Sequence, residues 1–299
     1  MTEQPAPSDE PQDPIAALVA SVERPDDDVR RAAREHLGDS PTGRLGDVAV
    51  WLAGAQGRFP ATAPARARLL VLADTVPTRT AAVAEDTSVE TVLVGPADSG
   101  AEAGSLEQAR AALLAGVALV DREVDAGADL LMLAMPGAGL AVPSAALVGL
   151  LTGSDASMVT ATGQDDTAWM AACAATRDTM RLARAHLGEQ PALLAAVGGL
   201  DLAVATGVLL GAAARRTPVV LDGPASAAAA LVAARLSFRA ADWWIAGQVS
   251  PDPAHRLALG RLSQEPLLDL SLRGDDGVGA LLAVPVLRAS VQRSDPLPR

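Results

Sequence analysis

The sequence predicts an α/β fold, a parallel sheet with helices on both faces, and three observations predict it. Hydrophobic residues make up 49% of the 299 while aromatic residues make up 2%, so the core is aliphatic and close-packed. Short apolar runs that end near turn residues recur at 68–74, 90–95, 128–135, 156–161, 217–223 and 242–247. From 104 onward, helical stretches over 105–126, 165–187 and 225–236 separate those runs. Strands alternating with helices mean a parallel sheet covered on both sides. A chain of this length buries a substantial core, as one large domain or two modest ones.

Taken in order, the chain opens on "MTEQPAPSDEPQDP", acidic and rich in proline, which is expected to be a disordered tail over 1–13. Two short helices follow within 14–37, the second opening on "DDDVRRAAREHL" with acids in its first turn and Arg later, as the helix dipole favours. A third helix is read from "TGRLGDVAVWLAGAQGR", where Val48, Trp51, Leu52 and Ala55 fall at three-to-four spacing. Residues 75–104 are expected to form a loop around one weak strand. "PALLAAVGGLDLAVATGVLLGAAARR" has the strongest apolar character, but Asp201 and a glycine pair interrupt it, so it reads as a buried element and not a membrane span. "RGDDGVGALLAVP" at 273–285 turns into a final helix. The division expected is a tail (1–13), a helical N-terminal segment (14–66), an α/β core (67–272) and a C-terminal helix and tail (273–299).

Net charge is −12 and mean hydropathy +0.24. The acidic balance argues against nucleic acid or an acidic membrane as partner, since both need clustered positive charge. The chain has no Lys, which removes Schiff-base and phosphate-lysine mechanisms. The single Cys173 excludes an internal disulfide and a cysteine-built metal site, and is expected to be a buried small hydrophobe. His36 and His186 fall on exposed-looking helix ends without metal-ligand spacing. No metal and no cofactor are expected. The acidic N-terminus, unlike a signal peptide, gives the cytoplasm as the expected location.

In a parallel sheet, ligands sit beyond the carboxyl ends of the strands. Four turns qualify there: 136–139, 162–166, 198–201 and 222–223. "REVDAGADLLMLAMPGAG", "VTATGQDDTAWMAACAATRD", "AAVGGLDLAVATGVLLGAAARRTPVVLDG" and "WWIAGQVSPDPAHRLALGRLSQEPLLDLSLRGDDGVGALLAVPVLRAS" together resemble the nicotinate-nucleotide:dimethylbenzimidazole phosphoribosyltransferase family, in the family's order. The resemblance implies a Rossmann-like three-layer fold, with a small helical subdomain from N- and C-terminal segments, and a homodimer. It implies phosphoribose transfer from nicotinate mononucleotide to dimethylbenzimidazole, with small-molecule partners, a nucleotide and an azole.

By resemblance, Asp276 stands at the catalytic base, where the family has Glu. Gly137, Gly139, Gly163, Gly198, Gly199, Asp222, Gly223 and Ser250 stand at substrate-binding positions. The family's phosphate loop, Gly-(Glu/Asp)-Met-Gly-Ile-Gly-Asn-Thr-Thr, here runs from Ala134 to Val142 and keeps two glycines, with Leu140, Ala141 and Val142 replacing the amide and both hydroxyls. Ala172 stands at the family's helical Lys, and a long stretch after "ADTVPT" (73–78) is missing. These losses lead to the expectation of a divergent homologue, weak or inactive in the family reaction. A silent binding or regulatory dimer, or an enzyme on a different nucleotide or azole, are the alternatives. His255 is expected on a helix near the surface. Asp165–Asp166 and Asp275–Asp276 read as helix caps with first-turn acids.

Overall fold

The computed structural model describes residues 13–38, 43–97, 104–162 and 165–292. Apart from Asp13, the tail expected over 1–13 lies outside them. Helices α1 (Pro14–Ser21), α2 (Asp27–Leu37) and α3 (Arg44–Gln56) come first. Strand β1 (Ala67–Val71), α4 (Thr78–Asp86), β2 (Glu90–Leu93), α5 (Leu106–Asp125) and β3 (Leu130–Ala134) follow. Helices α6 (Ala141–Thr152), α7 (Ala156–Val159), α8 (Asp166–Ala183), α9 (Gln190–Val197) and α10 (Asp201–Ala214) then form a long helical insert before β4 (Val219–Leu221). The chain closes through α11 (Pro224–Leu236), β5 (Trp244–Ala246), α12 (Pro253–Arg261) and α13 (Val278–Gln292).

The five strands are all parallel, in the order β2-β1-β3-β4-β5. Successive side chains on a strand face opposite sides. Leu70, Leu131 and Leu133 accordingly join the larger core under α5, α6, α10 and α11, whereas Leu69, Val71, Leu130 and Met132 join a smaller one under α3, α4 and α13. Helices thus cover both faces, in three layers. A third cluster, built on Ala33, Leu52 and Ala53, ties α2 to α3 and reaches Val291 at the end of the chain. N- and C-terminal helices therefore pack together beside the sheet.

Close approach between α5 and α10 depends on glycine. A Cβ at Gly116 would lie 2.1 Å from the Val204 carbonyl oxygen, and one at Gly207 would lie 1.9 Å from that of Leu113. The apolar 190–216 stretch is two buried helices, broken where Gly198 and Gly199 take φ of 80° and 71°.

Two expectations are corrected. The run at 156–161 is no strand: Ala156–Val159 is the single-turn α7, entered from Asp155. Val159 alone among its four residues is buried, so the segment lacks the two buried faces of an interior parallel strand. Residues 75–104 hold a helix, α4, as well as a strand. Its stripe is too narrow to read, since only Thr80 and Ala84 are buried.

Candidate active site

A cleft of about 380 Å³ opens at the carboxyl ends of β3 and β4. The turn after β3 (136–140) forms one wall, and α6, α8 and the start of α11 contribute the others, with the 273–276 segment across the mouth. Gly137, Leu140, Ala141, Val142, Ala145 and Ala172 give it a mainly apolar lining. The turn is also the ridge to a second depression of about 270 Å³, bounded by Leu72, Asp74, Thr75, Gly137, Gly139 and Asp201. That second hollow lies at the switch point between β1 and β3, where the strand order reverses and such sheets hold ligands.

Two carboxylates, Asp275 in the lining of the first cleft and Asp222 behind it, hold the loops in register by reciprocal capping. Asp222 directly follows β4 and accepts from the Gly277 N–H at 2.8 Å and the Ala280 N–H at 2.9 Å, which caps α13. Asp275, just before α13, accepts from the Ala225 and Ser226 N–H groups at 2.9 and 3.3 Å, which caps α11. Burial pushes the Asp222 carboxyl up to about 7, against the N–H groups that favour its ionised form. Burial, and then the Asp222 charge, push Asp275 up to about 8. Like charges sharing a dry site disfavour joint ionisation. Only glycine fits between the two loops at position 223: a Cβ on Gly223 would lie 2.4 Å from the Gly274 carbonyl oxygen and 2.5 Å from Asp275 Oδ1.

Asp276 lines the cleft, and its carboxylate is engaged. Oδ2 takes an ion pair from Arg79 on α4, and Oδ1 accepts from the Val278 N–H at 3.3 Å. Thr80 Oγ1 donates to the Asp276 carbonyl at 2.8 Å, so α4 is fastened to this loop twice. The expectation that Asp275 and Asp276 both cap the final helix is corrected: Asp275 caps α11, and Asp222 carries most of the capping of α13.

His255 is also corrected. It lies on α12 but is fully buried, because α12 packs its inner face against α6 and α11. Its Nδ1 accepts from the Ser250 N–H and meets Ser250 Oγ, each at 3.1 Å. Burial, with the Arg256 charge second, lowers its pKa to about 4, so the ring is neutral. Cys173, expected to be buried, is half-buried.

The turns singled out in the sequence converge. Gly137, Gly139 and Asp276 border the two hollows. Gly199 packs under the turn, with a Cβ there 2.8 Å from Leu140 Cδ2, and Gly198 precedes it. Asp222, Gly223 and Ser250 stand outside the residues that line the cleft, in the shell behind it. Gly163 falls outside the described residues. Two residues escaped sequence reasoning, Arg79, which pairs with Asp276, and Ser144, which lines the cleft. Arg79 sits on the helix that was not foreseen. Ser144 is 2% exposed and its Oγ has no partner among the described residues. Its signal was present, since it is the one polar side chain in "AVPSAALVGLL". Among the described residues no His, Cys, Asp and Glu group is arranged to hold a metal ion, and no helix is long and apolar enough to cross a membrane.

A family model described as phosphoribosyltransferase matches residues 96–295. The nicotinate-nucleotide–dimethylbenzimidazole phosphoribosyltransferase of Streptomyces avermitilis is 40% identical, covering 93% of this chain and 89% of the relative. That alignment runs over 333 positions, more than this chain has, so the relative carries segments without a counterpart here. The protein of the same name from Mycobacterium marinum is 37% identical over 83% of each chain. A crystal structure of the Thermus thermophilus protein of that name superposes with a TM-score of 0.77 at 28% identity, covering 89% of this chain and 95% of that one. Sequence, family model and sheet topology agree, and the chain belongs to the nicotinate-nucleotide–dimethylbenzimidazole phosphoribosyltransferase family.

Proposed function

We propose that this chain keeps the nucleotide-and-azole scaffold of its family but transfers phosphoribose from nicotinate mononucleotide to dimethylbenzimidazole weakly or not at all. The lining of the cleft carries the reading: where the family resemblance places an amide, two hydroxyls and a lysine, the walls are Leu140, Ala141, Val142 and Ala172. Each missing charge-assisted hydrogen bond to phosphate is worth roughly 1.5–3 kcal/mol. Backbone N–H groups of the turn are what remain for an anion.

The position of Asp276 supports the same conclusion. A general base must reach the azole proton at roughly 2.6–3.2 Å. Asp is one methylene shorter than Glu, and a 1 Å misplacement costs on the order of 10²-fold. Its carboxylate is in addition paired with Arg79. If the family reaction runs here, Asp276 is the base, Gly137 and Gly139 face the phosphate and Asp222 holds ribose, with Gly163, Gly198, Gly199, Gly223 and Ser250 as the other substrate-binding positions. The division at 66/67 and 272/273, a homodimer and a cytoplasmic location belong to the same proposal.

Release of nicotinate from nicotinate mononucleotide in the presence of dimethylbenzimidazole, followed by chromatography, tests it. Turnover is expected at or near background, and unchanged in Asp276→Asn. Fast turnover by the wild type, abolished in Asp276→Asn with an unaltered melting temperature, would overturn the proposal. Leu140→Asn combined with Ala141→Thr is expected to tighten nicotinate mononucleotide binding by calorimetry. If the unmodified protein already binds it tightly, the missing donors do not matter.

A further inference from the structure

We propose that α8, with α7 beside it, is the face through which two copies of this chain pair, their α8 helices running antiparallel about a two-fold axis. The inference rests on the homodimer proposed above, and goes beyond it by placing the interface and naming its contacts.

Apolar exposure is the first argument. Seven large apolar side chains are exposed among the described residues, and three of them, Met158, Met170 and Leu182, lie on α7 and α8. Exposed apolar residues scattered singly are ordinary, whereas several on neighbouring elements mark a contact surface. A groove of about 420 Å³ separates the two helices, lined by Ala156 and Ser157 from one and by Trp169, Met170 and Cys173 from the other. It is not the cleft described above. Helix α8 turns Ala172 and Thr176 to that cleft and Met170 and Cys173 to this groove, so a copy seated here braces a wall of the cleft from its other side.

Charge identifies the occupant. Helix α8 begins at the exposed Asp165 and Asp166 and ends among the exposed Arg177, Arg181 and Arg184. Asp165 is committed to the Thr167 and Ala168 N–H groups, and Arg177 to its neighbour Asp178. Asp166, Arg181 and Arg184 form no ion pair among the described residues. The helix dipole favours acids at the start and Arg at the end, yet it leaves these three charges without a partner. In a two-fold interface one patch meets itself, so that residue i faces j and j faces i. Antiparallel pairing of α8 therefore sets Asp166 against Arg184 of the partner subunit, and does so twice. An unrelated protein needs a matching gradient of its own; a second copy has it by symmetry. The middle of α8 falls at Ala174 and Ala175, small side chains that let two helix axes approach closely.

Sedimentation equilibrium of the full chain, with circular dichroism to check that each variant is folded, decides the matter. Met170 is 58% exposed, so Met170→Asp leaves the fold intact and is expected to raise the dimer dissociation constant at least about tenfold, since it buries a charge in an apolar contact. Asp166→Arg, which meets Arg184 of the partner subunit, is expected to weaken pairing by about tenfold or more. Adding Arg184→Asp to that variant is expected to restore it, a rescue that a merely structural effect on α8 does not produce. A wild-type monomer removes the homodimer and the interface together. A wild-type dimer that is indifferent to Met170→Asp, or whose Asp166→Arg form is not rescued by Arg184→Asp, leaves the homodimer standing and overturns this placement of its interface.

Discussion

Asp222 and Asp275 show how two acids are used as structural clasps at the price of a pH liability. Both carboxyls are raised, from 3.8 to about 7 and about 8, mainly by burial. The folded protein therefore holds more protons on this pair than the unfolded chain does between about pH 4 and pH 8. Stability from the pair is complete at low pH and is lost as pH rises through the folded values. His255 acts in the opposite sense: its value falls from 6.5 to about 4, so its contribution is lost on acidification below 6.5. Above about pH 6.5 His255 no longer offsets the aspartates. The melting temperature is accordingly expected to fall between about pH 6.5 and pH 8. Asp275→Asn, which cannot ionise, is expected to flatten that fall. An equal slope in the variant, followed by calorimetric or fluorescence melting, would remove the coupled pair as its cause.

At the scale of elements, the strongest constraint is the α5–α10 contact. Gly207→Ala places a methyl against the Leu113 backbone, which no side-chain rotation relieves. A loss of about 3 kcal/mol, the upper end for overpacking, is expected by denaturant titration. Gly137→Ala is the control: nothing stands within 4 Å of the added Cβ, so stability is expected to stay within about 0.5 kcal/mol. The caps of α13 divide similarly. Asp222 holds two N–H groups at 2.8 and 2.9 Å, and Asp276 holds one at 3.3 Å. Asp222→Ala is expected to cost more than Asp276→Ala, whose loss lies near the low end of about 0.5–2 kcal/mol for a cap. Equal costs would mean that Asp276, with Arg79, is the principal cap.

For the whole molecule, the proposed homodimer is tested by light scattering at micromolar concentration. A mass of twice 30.3 kDa is expected, and a monomer alone would count against it. Nearly all-aliphatic packing leaves both cores dependent on shape, since Ala, Leu and Val offer no directional contacts. The glycines between α5 and α10 and at Gly223 are where that shape is set.

What the sequence determined by itself is the alternation of elements and their order. Short apolar runs fix strands, and local caps fix helix starts: Ser105 with Gln108 closes a capping box on α5, and Asp165 accepts from Thr167 and Ala168 on α8. The family was legible for the same reason, because its motifs are strings of neighbouring residues. Helices α4 and α7 were not legible, since each buries too little to leave a pattern. The site was legible in its turns and not in its interactions. Pairing of Asp275 with the start of α11 links residues 50 apart, and that of Arg79 with Asp276 links residues 197 apart. Burial of His255 and the unpaired Ser144 depend on which helices pack over them. These are long-range contacts, and only the tertiary structure decided them, because partners and solvent exclusion are set by packing between elements and not by spacing within one.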